Sequence, residues 1–183
     1  MRFTETRIPG AFVIDPEPRV DERGFFARVF CAREFAEHGL SESFVQMNIS
    51  ASTAKGTLRG LHYQREPASE TKVVRCTRGA IYDVIVDLRP ASATYLQHVG
   101  VTLTSGNHLA LYIPKMFAHA YQALCDDVEV VYQVDSFYSP GHERGLRYDD
   151  PVLGIRWPET VTVVSEKDRT WPLIAAAGSP AAG

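Results

Sequence analysis

From residue 44 onward, apolar and polar side chains alternate with a period of two. In "FVQMNIS" (44–50), Val45, Met47 and Ile49 alternate with Gln46, Asn48 and Ser50, which predicts a strand with one apolar and one amide-rich face. "KVVRC" (72–76), "AIYDVIVDLR" (80–89), "QHVGVTLT" (97–104), "HLALYIP" (108–114) and "VEVVYQVDSFY" (128–138) read as further strands, divided by Gly79, "RPAS", "SGN" and "CDD". Short strands with turn signals at roughly ten-residue spacing predict an antiparallel sandwich or barrel. Only "AREFAEHG" (32–39) reads as a helix, with Phe35 on it and Gly39 in the place of a C-cap. After residue 150 the chain is Pro-rich and irregular, and it closes on the low-complexity run "AAAGSPAAG". The expectation is an all-β jelly roll with one or two short helices, forming one domain over 1–175 and ending in a flexible tail, 176–183.

Composition narrows the function classes. With 183 residues, 45% hydrophobic and 22% charged, the chain can bury a real core and lacks the signature of disorder. A net charge of -3 offers no broad basic surface for a nucleic acid, although a local basic pocket stays possible. Cys31, Cys76 and Cys125 are odd in number, widely spaced and free of any C-x-x-C, which argues against a disulfide framework or a zinc site and fits a cytoplasmic protein. The N-terminus has no apolar signal region, and no run approaches the ~18 apolar residues of a membrane span.

Several residues could carry chemistry, each with a plainer reading beside it. Among the six histidines no H-x-H pair occurs, so the ligand pattern of a metal-dependent cupin is missing and no metal is expected. His62, in "TLRGLHYQ" (57–64), reads as a base or as a solvated strand residue; period two puts it on one face with Gly60 and sets Arg59 opposite or before the strand. His119 follows a proline turn. Tyr132 and Tyr138 share the parity of Val128, Val130 and Val134, and so read equally well as core aromatics. Asp168, in "SEKD", reads by default as a turn aspartate. Arg23, in "DERGFF", and Arg59, in "LRG", suit a phosphate or carboxylate, or simply the surface.

Taken in order, "DERGFF" (21–26), "FVQMNIS", "TLRGLHYQ", "KVVRC", "GAIYDVIVDLR" (79–89), "IPKMFAHAY" (113–121), "VYQVDSFYSPGHE" (131–143), "DDPVLGIRWP" (149–158) and "SEKD" resemble the dTDP-4-dehydrorhamnose 3,5-epimerase family. Each motif alone is weak; the ordered set, spread over most of the chain, is specific. The resemblance implies a cupin-like jelly roll (a double-stranded β-helix barrel), a homodimer and no cofactor. The implied substrate is a dTDP-linked 4-keto-6-deoxyhexose, inverted at C3 and C5 on either side of the C4 ketone.

By their places in the motifs, His62 resembles the base, and histidine titrates near ~6.5 when free. Asp168 resembles the carboxylate that orients it, Tyr132 the acid on the opposite face, and Lys72 the cation near the ketone oxygen. Arg23, Arg59 and Lys167 resemble contacts to the nucleotide sugar and its diphosphate; Gln46, Asn48, His119 and Glu143 resemble further ligand contacts, and Tyr138 the residue stacked on the base. The chain departs from the family pattern at Arg28, where a glutamate is usual, and at Lys115 and Met116, where an acidic residue and a glycine are usual. Arg28 keeps open inversion at one carbon only, or a different nucleotide. A non-catalytic sugar-nucleotide module and a metal-dependent oxygenase are the other classes that a jelly roll could serve.

Overall fold

The computed structural model describes residues 1–174; the tail expected at 176–183 lies outside the described residues. In chain order the elements are β1 (Arg2–Glu5), β2 (Phe12–Asp15), β3 (Arg19–Asp21), β4 (Gly24–Phe26), α1 (Ala32–Glu37), β5 (Gln46–Ser52), β6 (Leu58–Gln64), β7 (Lys72–Arg78), β8 (Ala80–Asp87), β9 (His98–Thr104), β10 (Ala110–Ile113), β11 (Phe117–Ala123), β12 (Val128–Val134), β13 (Glu143–Gly145) and α2 (Glu166–Arg169). A six-stranded sheet in the order β1-β2-β10-β7-β12-β5 faces a five-stranded sheet in the order β13-β6-β11-β8-β9, and β3 and β4 form a separate hairpin. All pairings are antiparallel. This is the jelly roll expected from the alternation, here with two helices.

Apolar residues divide into three packed groups. Between the sheets lie Val74, Cys76, Ile81, Ile85, Leu103, Leu111, Ile113, Val128 and Val130, all essentially excluded from solvent. Helix α1 covers the outer face of the six-stranded sheet by packing Phe35 against Ile14, Val73 and Tyr112. On the five-stranded sheet, Leu61, Val86, Ala118 and Ala120 are covered by Leu146, Leu153 and Trp157 from the irregular C-terminal stretch. That stretch is therefore a lid on the sheet's back.

The strands' inner faces change character along their length. On β12, Val128 and Val130 are core and Tyr132 follows two residues on; on β7, Cys76 and Val74 are core and Lys72 lies at the other end. One end of the barrel is filled, and the other opens into a cavity. Strand β5 ends the six-stranded sheet with its amide-rich face, Gln46, Asn48 and Ser50, toward that cavity. Its apolar face is outward, with Met47 and Ile49 each about two-thirds exposed. Strand β12 stops at Val134, so Tyr138 is carried on the following loop and not, as its parity suggested, on the strand. Among the described residues no helix is long and apolar enough to cross a membrane.

Candidate active site

The open end of the barrel holds a cavity of about 420 Å³ that continues into a second lobe of about 320 Å³. His62, Lys72 and Tyr132 line both lobes. The first lobe adds Arg59, His119, Tyr121, Lys167 and Asp168, with Leu58, Val130 and Val163 as apolar walls. The second is lined by Gln46, Asn48, Glu70, Tyr138 and Glu143 among others. His62 comes from the five-stranded sheet and Tyr132 from the six-stranded sheet, so the two groups enter from opposite walls.

A bulge in β6 decides which residues face inward. His62 pairs with His119 and Arg59 pairs with Tyr121, so three steps on β6 match two on β11. Arg59 and His62 therefore line the same cavity, correcting the period-two reading that set them on opposite faces. Gly60, at φ +116°, makes this possible: a Cβ there would lie 2.5 Å from the His119 carbonyl and 2.6 Å from the Ala120 side chain. Its N–H donates to Asp168 Oδ2 at 3.3 Å.

Asp168 is buried on α2, where Ser165 caps the helix by accepting from the Asp168 N–H at 3.1 Å. It is a helical residue, not the turn aspartate of its plainer reading. Its Oδ1 lies 2.5 Å from His62 Nε2, while the His62 ring stays one-third exposed to the cavity. Burial alone would raise the Asp168 carboxyl, but the His62 hydrogen bond and charge, with the Gly60 and Ser165 donors, hold it below the usual carboxylate range. With Nε2–H donating to Asp168, Nδ1 is the nitrogen left to accept a proton. The α2 segment is fixed by Trp171, whose ring occupies the space a Gly145 side chain would need, and by the Leu58 N–H, which donates to the Val163 carbonyl at 2.8 Å.

The remaining expected residues distribute as follows. Lys72 Nζ is 3.0 Å from Glu70 Oε1, with both side chains about nine-tenths buried. Arg59 donates to Ser52 Oγ at 3.2 Å and to the Ala51 carbonyl at 2.7 Å. Lys167 bridges to Glu143 at 2.7 Å, and the Tyr138 hydroxyl donates to the same Glu143 oxygen at 2.9 Å. The Lys167 contact holds Glu143 below the carboxylate range against its burial, and the Glu143 carboxylate raises both Lys167 and Tyr138. Gln46 Oε1 accepts from the Tyr138 N–H at 2.8 Å. Burial, then the Glu70 charge, pushes the Tyr132 phenol above its ordinary value.

Arg23 is the exception. It lies on the β3–β4 hairpin with its side chain 84% exposed, forked onto Asp21, and it lines neither lobe. The structure does not bring it to this chain's own cavity, because a short ribbon outside both sheets carries it away.

Three groups went unnoticed in the sequence. Asp83 is fully buried and accepts from His119 Nε2 at 2.7 Å, while its Oδ2 has no donor among the described residues. Glu70 pairs with Lys72. The Tyr121 hydroxyl sits 2.9 Å from Ser50 Oγ. Of these, Asp83 left a signal: a carboxylate inside the apolar strand "AIYDVIVD" needs a buried partner. Among the described residues no cluster of three or more His, Cys, Asp or Glu side chains is placed to hold a metal ion.

Comparison with known proteins matches the model of the dTDP-4-dehydrorhamnose 3,5-epimerase family to residues 5–176. The chain is 45% identical to the dTDP-4-dehydrorhamnose 3,5-epimerase of Methanothermobacter thermautotrophicus, over 93% of this chain and 92% of that protein. Its fold superposes with a TM-score of 0.91 on the dTDP-4-dehydrorhamnose 3,5-epimerase of Bacillus anthracis with TDP and PPi bound, at 42% identity, covering 94% of this chain and 99% of the other. A 3'-monoepimerase from Streptomyces bikiniensis, in complex with dTDP-quinovose, matches at 32% identity and a TM-score of 0.85, covering 92% and 85%.

Proposed function

The chain belongs to the dTDP-4-dehydrorhamnose 3,5-epimerase family, and from that premise we propose that it is a cofactor-independent isomerase inverting C3 and C5 of dTDP-4-dehydro-6-deoxy-D-glucose, in the cytoplasm. The observation that carries the reading is the placement of His62 and Tyr132 on opposite walls of one cavity. A carbon next to a ketone is inverted when its proton leaves on one face and another arrives on the other.

The proposed steps balance in protons. His62 Nδ1 takes the proton from the carbon, the electron pair moves onto the C4 oxygen as an enolate, and Lys72 stabilises that oxygen. Tyr132 returns a proton to the opposite face, the enolate collapses to the ketone, and exchange with solvent takes the proton from His62 and restores the Tyr132 phenol before the second carbon is inverted. Asp168 holds His62 in the working tautomer and stabilises the imidazolium. Arg59 and Lys167 suit the diphosphate, and Gln46, Asn48, His119 and Glu143 suit other polar groups of the ligand. Exposed Tyr138 suits stacking on the base.

Incubation with this substrate in deuterated water, following C3 and C5 by NMR, tests the proposal. Deuterium at both carbons with inverted product is expected; exchange at neither overturns it. Inversion at C3 alone is the second reading, favoured by the likeness to the monoepimerase, but identity is higher to the two-carbon enzymes.

We also take residues 1–175 as one domain and the working form as a homodimer. Val20, Phe25 and Phe26 on the hairpin, and Met47 and Ile49 on the outer face of β5, are exposed apolar side chains that a second copy would cover. In such a pair Arg23 would serve the partner's cavity. A monomer by size-exclusion with light scattering overturns this.

A further inference from the structure

Lys72 does not stand free in the cavity. Glu70, on the loop between β6 and β7, holds its Nζ at 3.0 Å with Oε1, and Oε2 accepts from Gln64 Nε2 at 3.0 Å. Gln64 is itself held: the two hydrogens of its amide are shared between Glu70 and the Ala68 and Phe137 carbonyls, at 3.1 and 3.3 Å, and its Oε1 accepts from the Ser139 N–H at 2.6 Å. The carboxylate is thus fixed from both sides, and through Gln64 it is tied to the loop that carries Tyr138. Among the described residues it is the only carboxylate in an ion pair with Lys72.

A lysine ammonium is a point charge on a flexible stem, and a buried one needs a partner to define its position. We propose that Glu70 is a positioning residue of the epimerase reaction, fixing Lys72 Nζ where the ketone oxygen comes to lie and setting a negative charge beside Tyr132. The proposal rests on the roles given above to Lys72 and Tyr132. In the resting site the pair keeps the cation placed; as the enolate forms, the ammonium gains a second anionic partner without having to be ordered first.

The charge has a separate consequence. Glu70 and Tyr132 both line the second lobe, and there the carboxylate adds to burial in raising the phenol, opposing tyrosinate formation. The other ionisable groups around this region of the cavity are Lys72 on β7, Arg59 and His62 on β6, Tyr121 and His119 on β11, Glu143 on β13, Lys167 and Asp168 on α2, and Tyr138 on its loop. A Glu70→Gln change leaves all of these side chains in place in the sequence and keeps the residue's size and an acceptor for Lys72, but it removes the charge and so takes away the anionic partner of Lys72.

The test compares the intact protein with Glu70→Gln and Glu70→Ala, each checked for native near-ultraviolet circular dichroism. For Glu70→Gln, deuterium exchange should slow about tenfold while dTDP affinity stays within about twofold. The basic limb of the pH profile should move to lower pH. Glu70→Ala, which also releases Lys72, should lose more. A readout that needs no activity is the ultraviolet titration of tyrosinate, taken as the difference between each protein and its Tyr132→Phe counterpart; Tyr132 should ionise at lower pH in Glu70→Gln. Unchanged rate and basic limb overturn the positioning role, and an unshifted Tyr132 titration overturns the charge effect. Absence of exchange in the unmodified protein would instead refute the epimerase reading, with the tyrosinate titration still deciding the effect of Glu70 on Tyr132.

Discussion

Asp168 and Asp87 are both buried aspartates whose partners hold them below the usual carboxylate range, yet only one belongs to a site. Asp87, at the end of β8, accepts from Arg89 Nε at 2.9 Å and Nη2 at 2.7 Å, from the Arg89 N–H at 3.0 Å, and from the Ser92 and Thr94 hydroxyls at 2.6 and 2.7 Å. The Arg89 guanidinium lies over Phe117, and Asp87 lines neither lobe of the cavity. That network closes on itself. Asp168 spends one oxygen on a histidine whose other nitrogen is left for the cavity. Burial and a depressed carboxyl do not distinguish the two; what the partner can still do does.

The largest effect that could sharpen this contrast is at His62. His62→Ala should cost about 10²-fold or more in exchange at both carbons, and near-normal exchange would break the comparison. Tyr132→Phe should lower formation of inverted product by about 10²-fold while abstraction by His62 still washes deuterium into the starting sugar, a split that NMR of both species reads. Asp168→Asn should slow exchange about tenfold or more through loss of the oriented tautomer.

At Asp87 the loss should appear in stability instead. Asp87→Ala should cost about 3 kcal/mol by denaturant titration and leave exchange per folded molecule unchanged. Because the folded carboxyl is depressed, its contribution is present above the free value of ~3.9 and is lost as pH falls through the lower folded value. The stability gap between the intact protein and Asp87→Ala should therefore narrow below about pH 4. The smallest effect belongs to Lys167→Ala at the exposed rim, expected to weaken dTDP binding by about threefold by calorimetry, with exchange at saturation little altered.

How much of this was legible varies by residue. Strands β5 and β12 follow from alternation, because burial on one face imposes period two, whereas β7 and β8, buried on both faces, follow from short apolar runs between turn signals. The helix at 32–37 follows from its pattern and the glycine after it. The N-terminal strands and hairpin leave no such signal, since three- and four-residue strands carry too few positions to show a period. His62, Tyr132, Lys72 and Asp168 stand out only through the resemblance of their motifs. Residue by residue each had a plainer reading, and for Arg59 period two pointed the wrong way, because a bulge adds a step that no alternation rule contains.

The sequence by itself determined the β-rich architecture, the family, and which side-chain types were available for proton transfer. These depend on local periodicity and on motif order, which are properties of a line. Only the tertiary structure decided that His62 and Tyr132 face each other from different sheets, that Glu70 holds Lys72, that Arg23 lies outside the cavity of its own chain, and that Asp168 and Asp87 differ in kind. Those facts depend on contacts between residues as far as 108 positions apart, set by sheet order, by a bulge at Gly60 and by the packing of Trp171 on Gly145.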